Sequence, residues 1–278
     1  EEKIIVKAQV HAGGRGKSGG VKLCKDNEEV VETVDKMIGM KIVTPQTSEE
    51  GKIVRRVYLE KGYEIEKELY FCITVDRETG GNTIITSKKG GMNIEEVADK
   101  NPEEIHKLKI SPGGDLLTHH ARTIAYNLGL TGVAAKKAQK NILGLYKAFT
   151  SLDAALIEVN PFAVVKGGDV IALDCKASFD DNALYRQRQV AEMKDENEYD
   201  PLELEAARHD LNYVKLDGNI GLMVNGAGLS MSTMDIIKYY GGEAANFMDV
   251  AGAATPTRVA AAFKLIYKDP DVKGILIN

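Results

Sequence analysis

The sequence lacks several features that mark common classes of protein. It has no Trp, only three Cys among 278 residues, and no apolar run of about 18 residues. Without such a run we expect no membrane-spanning helix. An odd number of Cys without metal-ligand spacing fits a reducing compartment better than a disulfide framework. The net charge of -5 argues against the basic face that nucleic-acid binders need.

The composition is that of a globular protein, with 44% hydrophobic and 28% charged residues. The length is enough for two domains or for one large one. Residues 1–6 are typical of a strand and not of a signal peptide, and residues 272–278 are typical of a buried strand. We therefore expect both ends of the chain to be cut from a longer protein.

A glycine-rich stretch, HAGGRGKSGG, occupies residues 11–20. Gly14, Gly16 and Gly19 satisfy the dinucleotide-binding pattern G-x-G-x-x-G. However, a β-rich run precedes the stretch and a short strand, residues 21–24, follows it. Both the dinucleotide-binding motif and the P-loop require a loop that opens a helix, so both are disfavoured here.

The remaining interpretation is a hairpin between two strands. Its backbone N–H groups could lie over a triphosphate, since missing side chains let the backbone approach a ligand. Lys7, shortly before the hairpin, would add a positive charge for phosphate. The alternative is a hairpin that is merely mobile.

The chain after this loop shows two different patterns of expected strands and helices. Up to residue 178 we expect strands at 53–59, 69–75 and 84–87, helices at 94–100, 116–128 and 133–152, and a hairpin at 155–178. A polar linker or surface helix follows at residues 186–209. From residue 219 onward, strand and helix patterns alternate as β-α-β-α-β, which predicts an open parallel sheet.

The hairpin at 155–178 carries the sharpest local signal. Its turn at residues 166–168 places Asn160 opposite Asp174, with Glu158 on the same face. A carboxylate beside an amide oxygen suits Mg²⁺ that keeps its other positions for water and phosphates. The alternative is a cross-strand polar pair on a wet sheet face. The opposite face is expected to be core and carries Ile157, Val159, Val165, Ile171 and Leu173.

Other polar residues are less informative. Glu60 and Glu68 flank a glycine turn between strands, where carboxylates can accept from adenine or ribose, but most such residues are simply exposed. None of the five His has metal-ligand spacing, so we expect all of them to be structural or solvent-facing. The chain therefore shows no obvious covalent nucleophile, which a partner could supply.

Five ordered motifs resemble a known family. They are residues 7–17, Glu158-Val159-Asn160-Pro161, Asp180-Asp181-Asn182-Ala183, Val224-Asn225-Gly226-Ala227-Gly228, and Ala245-Asn246-Phe247-Met248-Asp249-Val250. Together they closely resemble the β subunits of succinyl-CoA synthetase (succinate–CoA ligase), and the similarity runs from Lys3 to Asn278.

The resemblance implies an α/β fold in which an ATP-grasp nucleotide-binding domain, residues 1–199, precedes an incomplete flavodoxin-like CoA-ligase domain, residues 200–278. It implies an acid–thiol ligase of the tricarboxylic acid cycle, which interconverts succinate, CoA and nucleoside triphosphate with succinyl-CoA, nucleoside diphosphate and phosphate. Mg²⁺ would be the cofactor and ATP or GTP the nucleotide. The partner would be an α subunit that binds CoA and carries a phosphorylated His.

The resemblance also implies roles for individual residues, none of them catalytic in the covalent sense. The positions that match triphosphate contacts are Lys7 and the backbone of Gly14, Arg15 and Gly16. The positions that match nucleoside contacts are Glu60 and Tyr63 at the base and Glu68 at the ribose. Asn160 and Asp174 match magnesium ligands, and Asn225 matches a residue beside succinate.

Two segments depart from the family pattern. Ala251-Gly252-Ala253 replaces three glycines, and Lys88 and Lys89 stand where an acidic or polar residue is common. The loops that determine acid specificity are not in the sequence, so a malate–CoA ligase or the ligase portion of a citrate-cleaving enzyme is an alternative. Other classes are a nucleotide-binding subunit without turnover and a dinucleotide-dependent dehydrogenase. The expected compartment is the mitochondrial matrix or the bacterial cytoplasm.

Overall fold

A computed structural model describes residues 3–44, 46–47, 49, 51–250 and 254–278. The chain forms two compact units, residues 1–194 and residues 195–278. The domain boundary expected between residues 199 and 200 stays a prediction. Within the described ranges, no helix is both long enough and apolar enough to cross a lipid bilayer.

The first unit mixes strands and helices. Its strands are β1 (Ile4–Gln9), β2 (Val21–Cys24), β3 (Lys41–Ile42), β4 (Lys52–Ile53), β5 (Arg56–Lys61), β6 (Ile65–Asp76), β7 (Gly81–Ser87), β8 (Ile105–Ile110), β9 (Ala154–Val165), β10 (Asp169–Ala172) and β11 (Cys175–Phe179). Its helices are α1 (Asn27–Met37), α2 (Ile94–Lys100), α3 (Thr118–Asn127), α4 (Gly132–Ser151) and α5 (Arg188–Glu192). Short 3₁₀ turns occupy Pro102–Glu104 and Asp181–Ala183.

A small antiparallel sheet in the order β2-β1-β5 presents the glycine-rich stretch. The stretch joins β1 to β2, and α1 begins only afterward, behind Asp26, whose carboxylate accepts from the Glu29 amide. The prediction of a hairpin between strands is therefore confirmed. One face of the sheet packs on α1 around Val6, Val30 and Met37, which fixes where the hairpin begins and ends.

A larger antiparallel sheet runs in the order β10-β9-β6-β7-β8, with β11 also paired to β9. Helices α3 and α4 pack on one face of it and bury Phe71, Ile142 and Phe162. The helix predicted at 94–100 is confirmed, with Asn93 as its cap. The helix predicted from residue 116 begins only at Thr118, because Asp115 instead accepts from the Leu116 amide ahead of the helix.

The register predicted for the hairpin, with Asn160 opposite Asp174, is correct. Every β9–β10 pair follows it, and so does every β9–β11 pair except Phe179 with Ala154. The face assignment is only half correct. Ile157 and Val159 join the main core cluster; farther along β9 both Val164 and the expected Val165 are buried, but Val164 is the one that packs in that cluster. Opposite Val164, the core residue on β10 is Val170, whereas Ile171 and Leu173 are half-buried.

The cause is an extra residue in β9. Leu69 of β6 pairs with Phe162, but Phe71, two residues on, pairs with Val159, three residues back. Such a bulge opposes two residues to one and reverses which side chains face the core beyond it. The reversal occurs at Asn160-Pro161, a cis peptide bond. Sequence alternation alone could not indicate it.

The second unit is an α/β layer. Its strands are β12 (Asn212–Lys215), β13 (Ile220–Met223), β14 (Asn246–Asp249) and β15 (Gly274–Ile277), and its helices are α6 (Pro201–Arg208), α7 (Ala227–Tyr239) and α8 (Pro256–Lys268). β13 and β15 pair in parallel, and parallel bridges link the β13 segment to the β14 segment, as predicted. The strand β12 was not expected from the sequence; it pairs antiparallel to β14 and makes the sheet mixed.

Truncating Phe162 tests whether the region beyond the bulge holds the first unit together. Its side chain is fully buried and its ring centroid lies 5.8 Å from that of Phe71. We expect Phe162→Ala to lower the free energy of unfolding by about 3–5 kcal/mol in urea titrations followed by circular dichroism. Tyr126→Ala, at an exposed position on α3, serves as control and should change it by less than about 0.5 kcal/mol. A loss under about 1 kcal/mol for Phe162→Ala would contradict this packing.

Candidate nucleotide site

The glycine-rich loop, residues 11–20, is held at both of its sides. At its base the Ala8 amide donates to Gly20 O at 2.7 Å, and the Gly20 amide donates to Arg15 O at 2.8 Å. At its outer side the Gly13 amide donates to Gln46 Oε1 at 2.8 Å, and Ser18 Oγ donates to Val43 O at 2.6 Å. The loop is therefore a defined hairpin that leaves Gly14 and Gly16 exposed.

Lys7 is buried on β1, shortly before this loop, and its ammonium group contacts two other residues of the protein. Its ammonium donates to Leu173 O at 2.5 Å and forms an ion pair with Glu60. The pair is built by the sheet, because β1 and β5 run antiparallel and place Glu60 diagonally across from Lys7. The structure thus brings together a residue expected at the triphosphate and one expected at the base. It also links the small sheet to the segment just before Asp174.

Arg15 reaches from the glycine-rich loop to Asp174. Its Nη2 lies 2.6 Å from Asp174 Oδ1 and 2.7 Å from Oδ2, and its Nη1 donates to Ala8 O at 2.7 Å. Oδ1 of Asp174 also accepts from the Cys175 amide at 3.1 Å. The sequence analysis assigned only the Arg15 backbone to the site, whereas the structure shows its side chain at the predicted metal ligand.

Asn160 and Asp174 are direct neighbours through their backbones. The Asn160 amide donates to Asp174 O at 3.2 Å, as the predicted register requires. The Asn160 side chain is engaged elsewhere: its Oδ1 accepts from the Gly91 amide at 2.7 Å and its Nδ2 donates to Met92 O at 2.9 Å. The two residues are therefore adjacent in the fold, but the side-chain oxygens proposed as metal ligands contact different segments, and each accepts a hydrogen bond from the protein.

The segment 87–92 connects Asn160 to Glu68. The Gly90 amide donates to Glu68 O at 3.0 Å, and Gly91 has φ +68° and lies so close to Glu68 that an added Cβ would fall 2.0 Å from its Oε2. Lys89, unexplained in the sequence analysis, anchors this segment. Its Nζ lies 3.4 Å from Asn101 Oδ1 and 3.8 Å from a Glu104 carboxylate oxygen.

Tyr63 and Asn225 stand apart from these contacts. Tyr63 is exposed in the turn between β5 and β6. Asn225 belongs to the second unit, where it is exposed between the end of β13 and the start of α7. Next to it, the Gly226 amide donates to Asp249 Oδ1 at 2.7 Å. The segment Ala251-Gly252-Ala253, singled out in the sequence, lies outside the described residues.

A polar cluster on the large sheet, in which Tyr70 and Cys72 are buried and Glu158 is half-buried, was not expected from the sequence. Cys72 of β6 pairs with Glu158 of β9, and Tyr70 lies two residues before Cys72 on the same strand. Burial raises the pKa of Cys72 to about 11 and raises that of Tyr70 strongly, with the Glu158 carboxylate adding to both shifts. Both groups therefore stay protonated at neutral pH. The signal available in the sequence was the spacing of two from Tyr70 to Cys72.

Carboxylate and amide oxygens are the ligands that Mg²⁺ takes in proteins, so Asp174 and Asn160 could hold it. The Asp174 carboxylate pairs with the Arg15 guanidinium. Among the described residues, no set of three or more His, Cys, Asp or Glu side chains is arranged to hold a metal ion. The candidate pair contains a single carboxylate.

Comparison with known proteins gives the family. A family model described as an ATP-grasp domain matches residues 1–164, and one described as CoA-ligase matches residues 223–278. The β subunit of ADP-forming succinate–CoA ligase from Paramagnetospirillum magneticum is 53% identical over 99% of this chain and 71% of its own length. The corresponding subunit from Bacillus velezensis is 51% identical over 99% of this chain and 71% of its own length.

The chain belongs to the succinate–CoA ligase β-subunit family. The family named in the sequence analysis is confirmed, and so is an ATP-grasp domain followed by a CoA-ligase domain. An ATP citrate lyase structure from Methanothrix soehngenii shares the fold, with a TM-score of 0.74, 23% identity, and coverage of 99% of this chain and 67% of that one. The individual site residues of this succinate–CoA ligase β-subunit homologue stay predictions.

Cys175 offers a chemical probe of the candidate site, because it is exposed while Cys24 and Cys72 are buried. Partial burial raises its pKa, and the carboxylates of Asp174 and Glu158 raise it further. We expect N-ethylmaleimide to label Cys175 slowly at neutral pH. As the pH is raised, the labelling rate should continue to increase beyond the pH at which the rate for an ordinary thiol becomes constant. Asp174→Asn should shift this profile to lower pH, whereas Asp169→Asn, in the same hairpin, should not. A profile like that of free cysteine would contradict this environment.

Proposed function

We propose that the chain is the nucleotide-binding β subunit of a succinate–CoA ligase. Together with an α subunit, it would interconvert succinate, CoA and ATP with succinyl-CoA, ADP and phosphate. The observation that carries the proposal is the convergence of Lys7, Arg15, Glu60 and Asp174 under the glycine-rich loop. ADP-forming activity is proposed because the two relatives named above carry that name. The same bacterial relatives favour the bacterial cytoplasm over the mitochondrial matrix.

The nucleotide would lie between the glycine-rich loop and the hairpin of β9, β10 and β11. Exposed amides at Gly14 and Gly16 are free of bulky side chains and could approach phosphate oxygens. Lys7 supplies a positive charge that is held in place by Glu60 and Leu173 O before any ligand arrives. Such preorganised charge lowers the barrier to phosphoryl transfer, because it need not reorganise as negative charge develops.

Glu60, Tyr63 and Glu68 are the proposed nucleoside contacts. Glu60 stays half-buried on β5, which suits recognition of a base, while Glu68 is exposed on β6, which suits ribose hydroxyls. Asn225, in the second unit, is the proposed contact to succinate. Its exposure just before the N-terminus of α7 fits an anionic substrate, since helix N-termini favour negative charge.

Asp174 and Asn160 would hold Mg²⁺, which would neutralise charge on the nucleotide phosphates when bound. The residues of the protein would bind and orient the nucleotide. Lys7 and the loop amides would orient the phosphates while the γ-phosphoryl group passes from ATP to a His of the α subunit, with release of ADP. The phosphoryl group would then pass from that His to a succinate carboxylate to give succinyl phosphate. CoA thiol then displaces phosphate to give the thioester. The phosphorylated His of the partner is what the family resemblance implies, and this chain would bind the nucleotide that supplies the phosphoryl group.

Removing the Asp174 carboxylate tests the metal assignment. With γ-labelled ATP, Mg²⁺ and the α subunit, we expect label on the partner His, and Asp174→Ala should slow its appearance by about 10²-fold or more. Asp169→Ala is the matched control: it removes a carboxylate from the same hairpin, but one that pairs with Lys137 at the surface. Equal rates for Asp174→Ala and wild type would remove the assignment.

Acid specificity is tested by offering succinate, malate and citrate side by side to the αβ complex. We expect thioester formation to be fastest with succinate and at least about tenfold slower with the other two, since a site that hydrogen-bonds its substrate rejects poorly matched polar groups. A preference for malate or citrate would reassign the substrate. Nucleotide binding without any thioester would instead favour a subunit without turnover.

A further inference from the structure

The Arg15–Asp174 contact differs from an ordinary surface ion pair. The Arg15 side chain is only 12% exposed, whereas Asp174 is 46% exposed and open to solvent on its other side. One guanidinium nitrogen lies between both carboxylate oxygens, and the other is fixed by Ala8 O. The geometry is thus set by the backbone of β1, so little side-chain freedom remains to be lost when the contact forms.

The contact also joins two separate parts of the first unit. Arg15 lies within the glycine-rich loop, while Asp174 lies between β10 and β11 on the large sheet. The bonds of Gly13 to Gln46 and of Ser18 to Val43 run to a different segment. The Arg15 side chain therefore forms a direct hydrogen-bonding link between the loop and the proposed metal ligand.

We infer that Arg15 is a latch that holds the glycine-rich loop against Asp174 and is released by a cation bound to nucleotide. The inference rests on the proposed function and adds a role for the Arg15 side chain. With the latch closed, the guanidinium occupies the carboxylate oxygens that a divalent cation would use. Arg15 is then a positioning residue, and when ligand binds its side chain exchanges the Asp174 carboxylate for phosphate oxygens.

Competition for the same oxygens explains how the latch would work. A divalent cation cannot bind Asp174 Oδ1 and Oδ2 while Arg15 Nη2 lies between them, and the two positive charges repel at close range. A free cation must therefore break the contact between Arg15 and Asp174, and it brings no acceptor that could replace the carboxylate as the partner of Arg15. A cation that arrives on a nucleotide brings phosphate oxygens, which accept from guanidinium as well as a carboxylate does. The latch thus favours binding of the cation–nucleotide complex over binding of the free cation.

The test measures Mn²⁺ binding by electron paramagnetic resonance, without turnover. Arg15→Gln should bind free Mn²⁺ about tenfold more tightly than wild type, because no charged hydrogen bond must be broken first. The same variant should lose most of the preference for Mn²⁺–ADP over free Mn²⁺. Arg186→Gln is the matched control, since Arg186 also binds both oxygens of a carboxylate, that of Asp153, and should leave Mn²⁺ binding unchanged. Circular dichroism verifies that each variant is folded.

Further variants separate the latch from the proposed function. Adding Asp174→Asn to Arg15→Gln should abolish the gain in Mn²⁺ affinity, and Arg15→Lys, which keeps the charge but not the planar fork, should lie between wild type and Arg15→Gln. If wild type binds Mn²⁺–ADP but Arg15→Gln binds free Mn²⁺ no more tightly than wild type does, the latch is wrong and the proposed function stands. If wild type binds no Mn²⁺–ADP at all, the proposed nucleotide site itself fails.

Discussion

The structure of the candidate site depends on one extra residue in the strand β9. Because the bulge lies opposite Tyr70, the strand can bury Ile157 and Val159 before it and Phe162 and Val164 after it. A strand of strict alternation would instead turn one of these groups toward solvent. Asn160 lies at the point of reversal, where its backbone amide donates to Asp174 O and its side-chain Oδ1 accepts from the Gly91 amide in the segment 87–92. Core packing and site geometry are therefore fixed by the same irregularity.

Charge neutralisation is the second organising principle. Lys7 and Arg15 are both largely buried, and burial of an unpaired charge is costly. Each is paired with a carboxylate, Glu60 or Asp174, and each also donates to a backbone carbonyl. The pairs hold positive charge at the place where phosphates are proposed to bind. Under the proposal made above, ligand binding would exchange the partner of Arg15 from a carboxylate to a phosphate.

Much of this could be predicted from the sequence because the signals were local. The loop was correctly placed between strands, since residues 21–24 are β-rich and helical spacing begins only at α1. The pairing of Asn160 with Asp174 followed from the turn at Gly167 and Gly168 and the period of two along a strand. The helices α2 and α4 were placed to within one residue.

What could not be predicted depended on contacts between distant segments. The bulge in β9 exists only in relation to β6, and β12 has too few residues to show a period. The side-chain partners of Lys7, Arg15 and Asn160 come from segments far away in the chain, which composition and spacing do not reveal. For the same reason the anchoring of Lys89 to Asn101 and Glu104 had no signal in the sequence.

Gly91 has a consequence for how this surface can evolve. Its left-handed backbone makes any side chain there strained, and an added Cβ would displace the Glu68 carboxylate, while its amide donates to Asn160 Oδ1. One main-chain position therefore sets the distance between a carboxylate proposed for the sugar and an amide proposed for the metal. Substitutions at neighbouring positions can alter charge or size without changing the spacing that this glycine sets between the two polar groups.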